Sequence, residues 1–294
     1  MSGAEGSKLS FHFLHFDYAQ WAEYHKTMKH CFAGKIVWIT GASSGIGEAT
    51  AYRMAAEGAS LILTSRNESA LASVREKCIA NGAPKAEVLP ADLSLLETLE
   101  KLAESAWSLF GKIDIFFCNA GISQRSNTID SQMEVIDKVM DVNYFAPVTI
   151  TKHLLPKMIA AGGGQIAVTT SIAGKFGFPL RCAYSSSKFA LYGFFETVQA
   201  ECYKDNIRIT FVCPGRVQTN ISLYALEKDG TPHGKMDAGQ AGGITSEKAA
   251  CKIVNAIYRK KREVLVGGKE LLMVHIKRWF PSLVARIARN IKAM

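Results

Sequence analysis

Tyr184 and Lys188 are the two residues whose types and spacing most directly suggest chemistry. Residues four apart on a helix share a face, one turn from each other. A free tyrosine has a pKa of about 10, which makes it a poor proton exchanger at neutral pH. A neighbouring ammonium group favours the phenolate and lowers that pKa toward the working range. The pair therefore predicts a tyrosine that acts as a general acid or base.

A glycine-rich turn after the first apolar segment is the second chemical signal. It reads Thr40-Gly41-Ala42-Ser43-Ser44-Gly45-Ile46-Gly47. Glycines at this spacing let the backbone turn sharply and approach a pyrophosphate closely. The helix that begins there supplies N–H groups and the positive end of its dipole. The turn therefore predicts a dinucleotide site.

The end of the second predicted strand indicates which dinucleotide binds. A site that selects NAD places Asp or Glu there, about 20 residues after the turn, to bind the ribose 2′-OH. Here the segment Leu63-Thr64-Ser65-Arg66 has no acid. Ser65 can hydrogen-bond a 2′-phosphate, and Arg66 can pair with it through a planar fork of donors. We predict NADP(H), with a solvated loop arginine as the alternative interpretation of Arg66.

Further landmarks follow the predicted strands in order. They are Ala91-Asp92-Leu93 after the third strand, Cys118-Asn119-Ala120-Gly121 after the fourth, Asn143 in a helix, Ser171 after the fifth strand and Pro214-Gly215 after the sixth. Together with the glycine turn and Tyr184-x-x-x-Lys188, this set resembles the short-chain dehydrogenase/reductases of the classical type. Ser171 precedes Tyr184 by thirteen residues, the usual interval of that family. The resemblance covers residues 34–268.

The resemblance implies a catalytic tetrad of Asn143, Ser171, Tyr184 and Lys188. In that family the tyrosine exchanges the proton, and the lysine binds the nicotinamide ribose. The serine hydrogen-bonds the substrate carbonyl oxygen, where it helps to stabilise the negative charge that develops as hydride arrives. The asparagine holds a water molecule in a proton relay that reaches the lysine.

The resemblance also implies cofactor contacts outside the glycine turn. Asp92 is expected to contact the adenine, although it can equally cap the segment that begins at Ser94. Asn119 is expected to border the cofactor cleft, and residues 214–219 to pass the nicotinamide carboxamide. We predict no metal site. The predicted cofactor-binding residues are Gly41, Ser43, Ser44, Gly45, Ile46, Gly47, Ser65, Arg66, Asp92, Leu93, Asn119, Ala120, Gly121, Tyr184, Lys188, Pro214, Gly215, Val217 and Thr219.

The elements that must position these residues are visible as short apolar runs that alternate with longer amphipathic segments. Nearly uniform apolar runs are typical of strands covered by helices on both faces. The alternation predicts an α/β fold, a Rossmann-type doubly wound parallel sheet of seven strands with helices on both faces. The predicted strands are Ile36–Thr40, Leu61–Thr64, Glu87–Leu89, Ile113–Cys118, Gln165–Thr169, Arg208–Val212 and Val264–Val266.

The charge of the chain is concentrated at its end. The 294 residues carry 35 basic and 26 acidic side chains, a net charge of +9. Residues 259–294 hold ten of the basic and two of the acidic side chains, so +8 of that charge lies there. The remaining 258 residues are nearly neutral, which gives no support to nucleic-acid binding. No apolar run reaches the roughly 18–20 residues of a membrane-spanning helix.

Two segments lie outside the predicted α/β domain of residues 33–268. Residues 1–32 show one helical stripe, which includes Tyr18 and Trp21, and predict a helical extension. Residues 269–294 predict a basic amphipathic extension, which Pro281 divides into two helices. Its stripe consists of Ile276, Phe280, Leu283, Ile287 and Ile291.

The C-terminal stripe has two interpretations. It either lies in a membrane interface or covers the domain or a partner subunit. A similar extension is found in the branch of animal dehydrogenase/reductases called member 7-like, which the chain resembles. Members of that branch often have an N-terminal membrane anchor, and residues 1–32 carry no such apolar run.

The sequence thus predicts a cytoplasmic, NADP(H)-dependent oxidoreductase that interconverts a ketone or aldehyde and an alcohol. The segments 175–182 and 220–245, apolar and in the second case glycine-rich, predict a lipophilic substrate under a mobile lid. Seven scattered cysteines indicate a reducing compartment. Family analogy implies a homodimer or homotetramer. The alternatives are a nucleotide-sugar epimerase or dehydratase, and a membrane-associated cofactor-binding scaffold without turnover.

Overall fold

A single parallel sheet of seven strands organises the protein. The structure is a computed structural model, and it describes residues 30–291. The strands lie in the order β3-β2-β1-β4-β5-β6-β7, and each neighbouring pair is parallel. They are β1 (Ile36–Thr40), β2 (Ser60–Thr64), β3 (Ala86–Val88), β4 (Ile115–Cys118), β5 (Gly164–Thr169), β6 (Ile207–Pro214) and β7 (Glu263–Val266).

Helices connect the strands and cover both faces of the sheet, as the alternating pattern predicts. They are α1 (Gly45–Ala56), α2 (Glu68–Ala80), α3 (Leu99–Phe110), α4 (Met133–Met140), α5 (Ala146–Ala160), α6 (Cys182–Glu201), α7 (Ala238–Ala241), α8 (Ser246–Tyr258), α9 (Leu272–Trp279) and α10 (Pro281–Ala288). A π-helical segment, Asp141–Phe145, joins α4 to α5. The doubly wound α/β fold is confirmed.

The two faces of the sheet form separate cores because successive strand residues point to opposite sides. On one side Val37 and Ile39 pack with residues of α1, α2 and α8. On the other side Trp38 packs with residues of α3, α5 and α6, and its ring lies 4.7 Å from that of Phe116. Each fully buried side chain of this size stabilises the fold by roughly 1.5–3 kcal/mol.

The order of the strands fixes where a site can form. The chain moves outward from β1 to β3 on one side and from β4 to β7 on the other. Connections therefore leave in opposite directions between β1 and β4, which opens a crevice at the carboxyl ends of those strands. The glycine turn after β1 and Asn119 after β4 border this crevice.

The C-terminal helices pack on the carboxyl end of the sheet. Pro281 begins α10, and Phe280 separates it from α9, as predicted. The residue of α10 that is fully buried is Val284, which forms a cluster with Phe176 and Cys213. The predicted stripe is divided: Ile276 and Ile291 pack against this cluster, whereas Phe280, Leu283 and Ile287 are exposed.

The predicted N-terminal helical extension lies outside the described residues except for its last three positions. Within residues 30–291, none of the helices combines the length and the hydropathy needed to cross a membrane.

Candidate active site

The glycine turn forms a cradle that leaves no room for larger residues. Gly41 and Gly45 have φ values of +66° and +58°, in the left-handed region that favours glycine. A Cβ atom on Gly47 would meet the carbonyl of Gly41, and one on Gly41 would lie 2.9 Å from Cα of Ala120. Ser44 is the N-cap of α1, and its side chain makes no capping hydrogen bond. The N–H groups of the first turn are thus positioned for an anion.

Asn119 braces this turn from β4. Its Nδ2 donates to the carbonyl oxygens of Thr40, at 3.2 Å, and Gly41, at 3.3 Å. Its Oδ1 accepts a hydrogen bond from Thr169 at the end of β5. The predicted cleft residue therefore connects the ends of three strands. Its neighbours Ala120 and Gly121 continue along the crevice.

Ser65 and Arg66 lie directly after β2, at the far side of the cradle. Arg66 is exposed, and it is close enough to Asp92 for their charges to interact. Burial raises the pKa of Asp92, but two hydrogen bonds from Ser94 and the charge of Arg66 outweigh it, so the net pKa is lowered. Asp92 accepts from the amide and the hydroxyl of Ser94 at 2.9 and 2.8 Å, which closes a local turn. It is not a helix cap, because the short helix that follows begins at Leu96 with Leu95 as its N-cap. Leu93 is buried beside it.

Three residues of the predicted tetrad meet at the carboxyl end of β5. Ser171 follows β5, and its Oγ donates to the carbonyl of Pro214, the last residue of β6, at 3.3 Å. Tyr184 and Lys188 lie on the first turns of α6, both buried. The Lys188 ammonium donates to the carbonyl of Thr169 at 2.8 Å and lies 5.8 Å from the centroid of the Tyr184 ring.

Asn143 lies in the π-helical segment, a local widening that often marks functional sites. Its amide exchanges two hydrogen bonds of 2.9 Å with the backbone of Ile122 and donates to Ser187 of α6 at 3.0 Å. A Cβ atom on Gly121 would lie 3.1 Å from Oδ1 of Asn143 and 3.4 Å from Nζ of Lys188. Asn143 and Lys188 therefore flank the same glycine.

Burial dominates the ionisation of the buried pair. It raises the pKa of Tyr184, while a hydrogen bond from Ser171 and the charges of Arg181 and Arg125 act in the opposite direction without cancelling it. Burial also lowers the pKa of Lys188 to about 8. We expected a nearby ammonium to lower the pKa of Tyr184. Among the groups of the protein alone this expectation is wrong, because the desolvation of the phenolate is the larger effect.

The segment after β6 closes the other side of the crevice. Gly215 donates its N–H to Val266 of β7, and the amide of Arg216 donates to Oε1 of Glu270 at 2.7 Å. Val217 is buried. Thr219 accepts a hydrogen bond from Gln240 at 3.0 Å, and its methyl carbon would lie 3.0 Å from a Cβ atom on Gly45. This segment therefore reaches the glycine cradle.

A polar network that sequence reasoning missed fixes the start of α6. Gln124 is fully buried, and its Oε1 accepts from the amide of Ala183 at 2.9 Å. Arg125 pairs with Asp237 at 2.6 Å, and Arg181 pairs with the same carboxylate at 2.9 Å. These partners are separated by 56–112 residues, and no local spacing could have connected them. The only sequence signal is the occurrence of charges in segments that otherwise line an apolar pocket.

The structure thus brings the predicted site residues to one edge of the sheet. Gly41–Gly47, Ser65, Arg66, Asp92 and Leu93 lie around β1–β3, and Asn119–Gly121 lie after β4. The tetrad and the segment from Pro214 to Thr219 lie beside β5 and β6. Ile46, Leu93, Ala120 and Val217 also contribute to the two cores of the sheet.

This arrangement is the dinucleotide crevice of a Rossmann-type enzyme, with a serine, a tyrosine and a lysine beside it. A family model described as short chain dehydrogenase matches residues 35–229. The chain belongs to the short-chain dehydrogenase family of oxidoreductases.

Relatives agree with this assignment over most of the chain. A dehydrogenase/reductase SDR family protein 7-like from Anopheles gambiae is 40% identical over 238 residues, which are 80% of this chain and 75% of that protein. A short-chain dehydrogenase/reductase from Burkholderia phymatum, solved with NAD, has a TM-score of 0.75 and 25% identity over 86% of this chain and 95% of its own. An alcohol dehydrogenase from Thermococcus sibiricus, solved with 5-hydroxy-NADP, has a TM-score of 0.69 and 25% identity over 80% of this chain and 97% of its own.

Proposed function

We propose that the protein is an NADP(H)-dependent oxidoreductase that interconverts a ketone or aldehyde and an alcohol, with Tyr184 as the acid and base. The observation that carries the proposal is the convergence of Ser171, Tyr184, Lys188 and Asn143 beside the glycine cradle. When bound, the cofactor supplies or accepts the hydride. The residues of this chain then have to orient the carbonyl and move one proton.

Each tetrad residue has a position that suits one part of this task. Tyr184 donates the proton to the carbonyl oxygen during reduction and accepts it during oxidation. Ser171, at the end of β5, offers its hydroxyl to the same oxygen. Lys188 and Asn143 flank Gly121 and hold the deeper end of the site, where the proton is resupplied.

The first experiment compares two tyrosines of α6. Purified Tyr184→Phe and Tyr192→Phe variants are assayed with NADPH against a panel of ketones and aldehydes, with the oxidation of NADPH as the readout. The Tyr192 hydroxyl bonds Thr170 and Glu263 and no residue of the tetrad, so we expect that variant to keep its turnover. Tyr184→Phe should lose at least 99% of the activity and still bind NADPH, since general acid catalysis contributes about 10²–10⁴-fold. More than a few per cent of residual activity would contradict the assignment of the proton donor.

Binding of NADPH by the wild type with no turnover across the panel would favour the scaffold alternative.

We infer the preference for NADP(H) from the residues after β2. Arg66 is exposed at the edge of the cradle, and Ser65 beside it offers a hydroxyl. The two solved structures described above contain NAD in one case and 5-hydroxy-NADP in the other, so they favour neither nucleotide. The preference for NADP(H) therefore rests on Ser65 and Arg66. Arg66→Ala should weaken NADPH much more than NADH, whereas Arg75→Ala on the exposed side of α2 should change neither. Equal weakening of the two nucleotides by Arg66→Ala would refute the 2′-phosphate contact.

The substrate is proposed to be lipophilic, although fewer apolar side chains are free to contact it than the sequence suggested. Phe176 is buried beneath the C-terminal helices, and Leu226 packs with Val135 and Ala183, so both belong to the core. Tyr224 and Met236 are the apolar side chains of the lid segment that remain exposed. Including steroid-like and acyl ketones in the panel tests this class against small polar carbonyl compounds.

A homodimer or homotetramer is also proposed. Phe145, the last residue of the π-helical segment, and Phe189 on α6 are large apolar residues that are exposed in the single chain. Phe189 lies on the helix that carries Tyr184, and Phe145 belongs to a segment that packs against it. Family analogy places this helix in an interface. Sedimentation velocity should show an oligomer that Phe189→Glu dissociates. A monomeric wild-type protein would contradict the proposal.

Peripheral contact with an anionic membrane is proposed for residues 269–294, on the cytoplasmic side. Trp279 is 75% exposed, and Phe280 and Leu272 are exposed beside it. The same segment carries the basic residues Lys277, Arg278, Arg286 and Arg289, and positions 271–294 contain no acid. All seven cysteines are free thiols, which supports a reducing compartment.

The membrane test uses point variants, because deleting the segment would remove the buried Val284 from its cluster. Co-sedimentation with vesicles of phosphatidylserine and phosphatidylcholine should decrease with salt and fall in Trp279→Glu. The matched control is Ile79→Glu, at an exposed apolar position of α2. Equal sedimentation of the two variants would leave only the packing role of this segment.

A further inference from the structure

The two arginines that share Asp237 form a buried cluster with an excess of positive charge. Arg125 donates to the carboxylate through Nη2 at 2.6 Å and through Nε at 3.4 Å, and Arg181 donates through Nη2 at 2.9 Å. The side chains of Arg125, Asp237 and Arg181 are 2%, 5% and 21% exposed. Two guanidinium groups and one carboxylate leave one positive charge uncompensated within the cluster.

That uncompensated charge lies on Arg181 rather than on Arg125. Arg125 also donates to the hydroxyl of Ser123 at 2.7 Å and to the carbonyl of Gln124 at 2.6 Å, so its fork is satisfied by neighbours. Arg181 makes one bond to Asp237, and its buried Nε has no hydrogen-bond partner among the described residues. Buried charged donors are normally paired, because an unpaired one costs free energy.

Arg181 precedes Tyr184 by three residues at the start of α6. It is the N-cap of that helix, and its charge is close enough to act on the hydroxyl of Tyr184. The amide of Ala183 is held by Gln124 between them, so the start of the helix is fixed. Lys188 lies one turn further on, with its ammonium on the carbonyl of Thr169. Tyr184 therefore stands in the chain between two cationic residues, one at the N-cap of α6 and one a turn beyond it.

The electrostatic coupling is mutual. The charges of Arg181 and Arg125 lower the pKa of Tyr184 against the larger effect of burial, and Cys213 acts in the same direction as burial. Burial and the charge of Arg125 lower the pKa of Arg181, while Asp237 and Tyr184 raise it. Further out, His233 lies 4.0 Å from Asp237 and contacts Glu227.

We propose that Arg181 is a positioning residue that stabilises the ionised hydroxyl of Tyr184 from the side of the lid, and that Asp237 limits this effect. The inference rests on the proposed function, in which Tyr184 exchanges the proton. Asp237 lies at the end of the segment after β6, next to α7, whereas Arg181 belongs to the segment before Tyr184. The ion pair therefore connects the position of the lid to the charge beside the proton donor.

The test uses substitutions whose electrostatic effects have opposite signs. In Arg181→Gln the pKa of Tyr184 should rise by about one pH unit, a tenfold change in the ionised fraction, because an opposite charge nearby lowers the pKa of an acid by an amount of that order. Arg181→Lys should restore most of the wild-type value because it keeps the charge. Asp237→Asn should move the pKa down, because the cluster then has two uncompensated charges.

Two readouts separate this inference from the proposed function. The full chain, labelled with ¹³Cζ tyrosine and saturated with NADP⁺, is titrated by NMR, and the Tyr184 signal is assigned by its loss in Tyr184→Phe. The pH dependence of kcat/KM is then measured with a carbonyl compound from the panel. If Arg181→Gln shifts the titration of Tyr184 but the wild-type protein turns over no compound of the panel, the role of Arg181 is supported and the proposed function is overturned.

The inference is overturned if Arg181→Gln leaves the titration of Tyr184 unchanged, or if Arg181→Gln and Arg181→Lys shift it alike. It is also overturned if Asp237→Asn moves the pKa in the same direction as Arg181→Gln, since loss of structure would then explain both. If Asp237→Asn does not fold, the comparison of Gln with Lys at position 181 decides alone, because both variants keep the Arg125–Asp237 pair.

Discussion

Replacing Lys188 with Met should stabilise the cofactor-free protein at neutral pH, although it removes a residue of the candidate tetrad. Lys188 is 2% exposed, and burial lowers its pKa from 10.5 to about 8. Keeping it protonated in the folded state at neutral pH costs about 3 kcal/mol relative to the unfolded chain. Met has a similar length and no charge to bury. It also lacks the hydrogen bond to Thr169, which is worth about 1 kcal/mol, so the expected net gain is about 2 kcal/mol.

The gain should depend on pH with a defined sign. Because the pKa of Lys188 is depressed in the folded state, the unfolded chain binds more protons between pH 8 and pH 10.5. Wild-type stability therefore rises with pH across that window. Above pH 10.5 Lys188 is neutral in both states and its burial carries no charge penalty. This advantage to the folded state is lost as the pH falls through about 8 and the buried lysine takes up a proton. The advantage of Lys188→Met should shrink above pH 8 and become a deficit of about 1 kcal/mol where both states hold a neutral lysine.

The assay is urea unfolding followed by circular dichroism, at neutral pH and at two higher values within the window. Lys248→Met is the matched control, because Lys248 is exposed on α8. We expect that control to change stability little and equally at each pH. A Lys188→Met protein that is less stable than wild type at neutral pH, or a difference that does not vary with pH, would refute the reasoning.

Three further substitutions test the cradle, the core and the C-terminal helices. Gly47→Ala should abolish tight NADPH binding in a fluorescence titration, because the new Cβ meets the Gly41 carbonyl, while Gly177→Ala, with open space around it, should bind normally. Trp38→Phe should lower the free energy of unfolding by about 2 kcal/mol in urea, because it leaves a cavity and removes the hydrogen bond that the Trp38 Nε1 donates to Thr64. Val284→Asp should detach α9 and α10, with new cleavage after residue 268 in limited proteolysis, since Val284 is fully buried.

The sheet could be predicted because each strand is covered on both faces and therefore reads as an apolar run. The predicted boundaries of all seven strands lie within two residues of the observed ones, and β6 extends two residues beyond its prediction to Pro214. A proline tolerates that place because its ring fixes φ and the strand ends there. Pro281 marked the division of the C-terminal segment for a related reason: it begins a helix but cannot continue one.

The site could be predicted only where its residues are close in sequence or follow strands in order. Tyr184 and Lys188 are adjacent turns of one helix, and the glycines of the cradle are consecutive. Asn143 was placed in a helix, but the π-helical geometry that aims its amide at Ile122 has no counterpart in apolar periodicity. Side-chain hydrogen bonds between distant loops leave no periodic signal in the sequence, so the bond between Gln124 and the start of α6 could not be predicted.

The missed residues and the recognised ones obey the same physical rule. Apolar periodicity places position 188 on the buried face of α6, and position 125 lies in a segment that packs against the lid. In both places the protein buries a cation, which costs stability unless partners compensate its charge. Arg125 has its partners in the fold, whereas Lys188 has one carbonyl and a pKa of about 8. The difference separates a structural arginine from a lysine that we propose is held for chemistry, and the pH dependence of Lys188→Met measures the cost of burying that lysine.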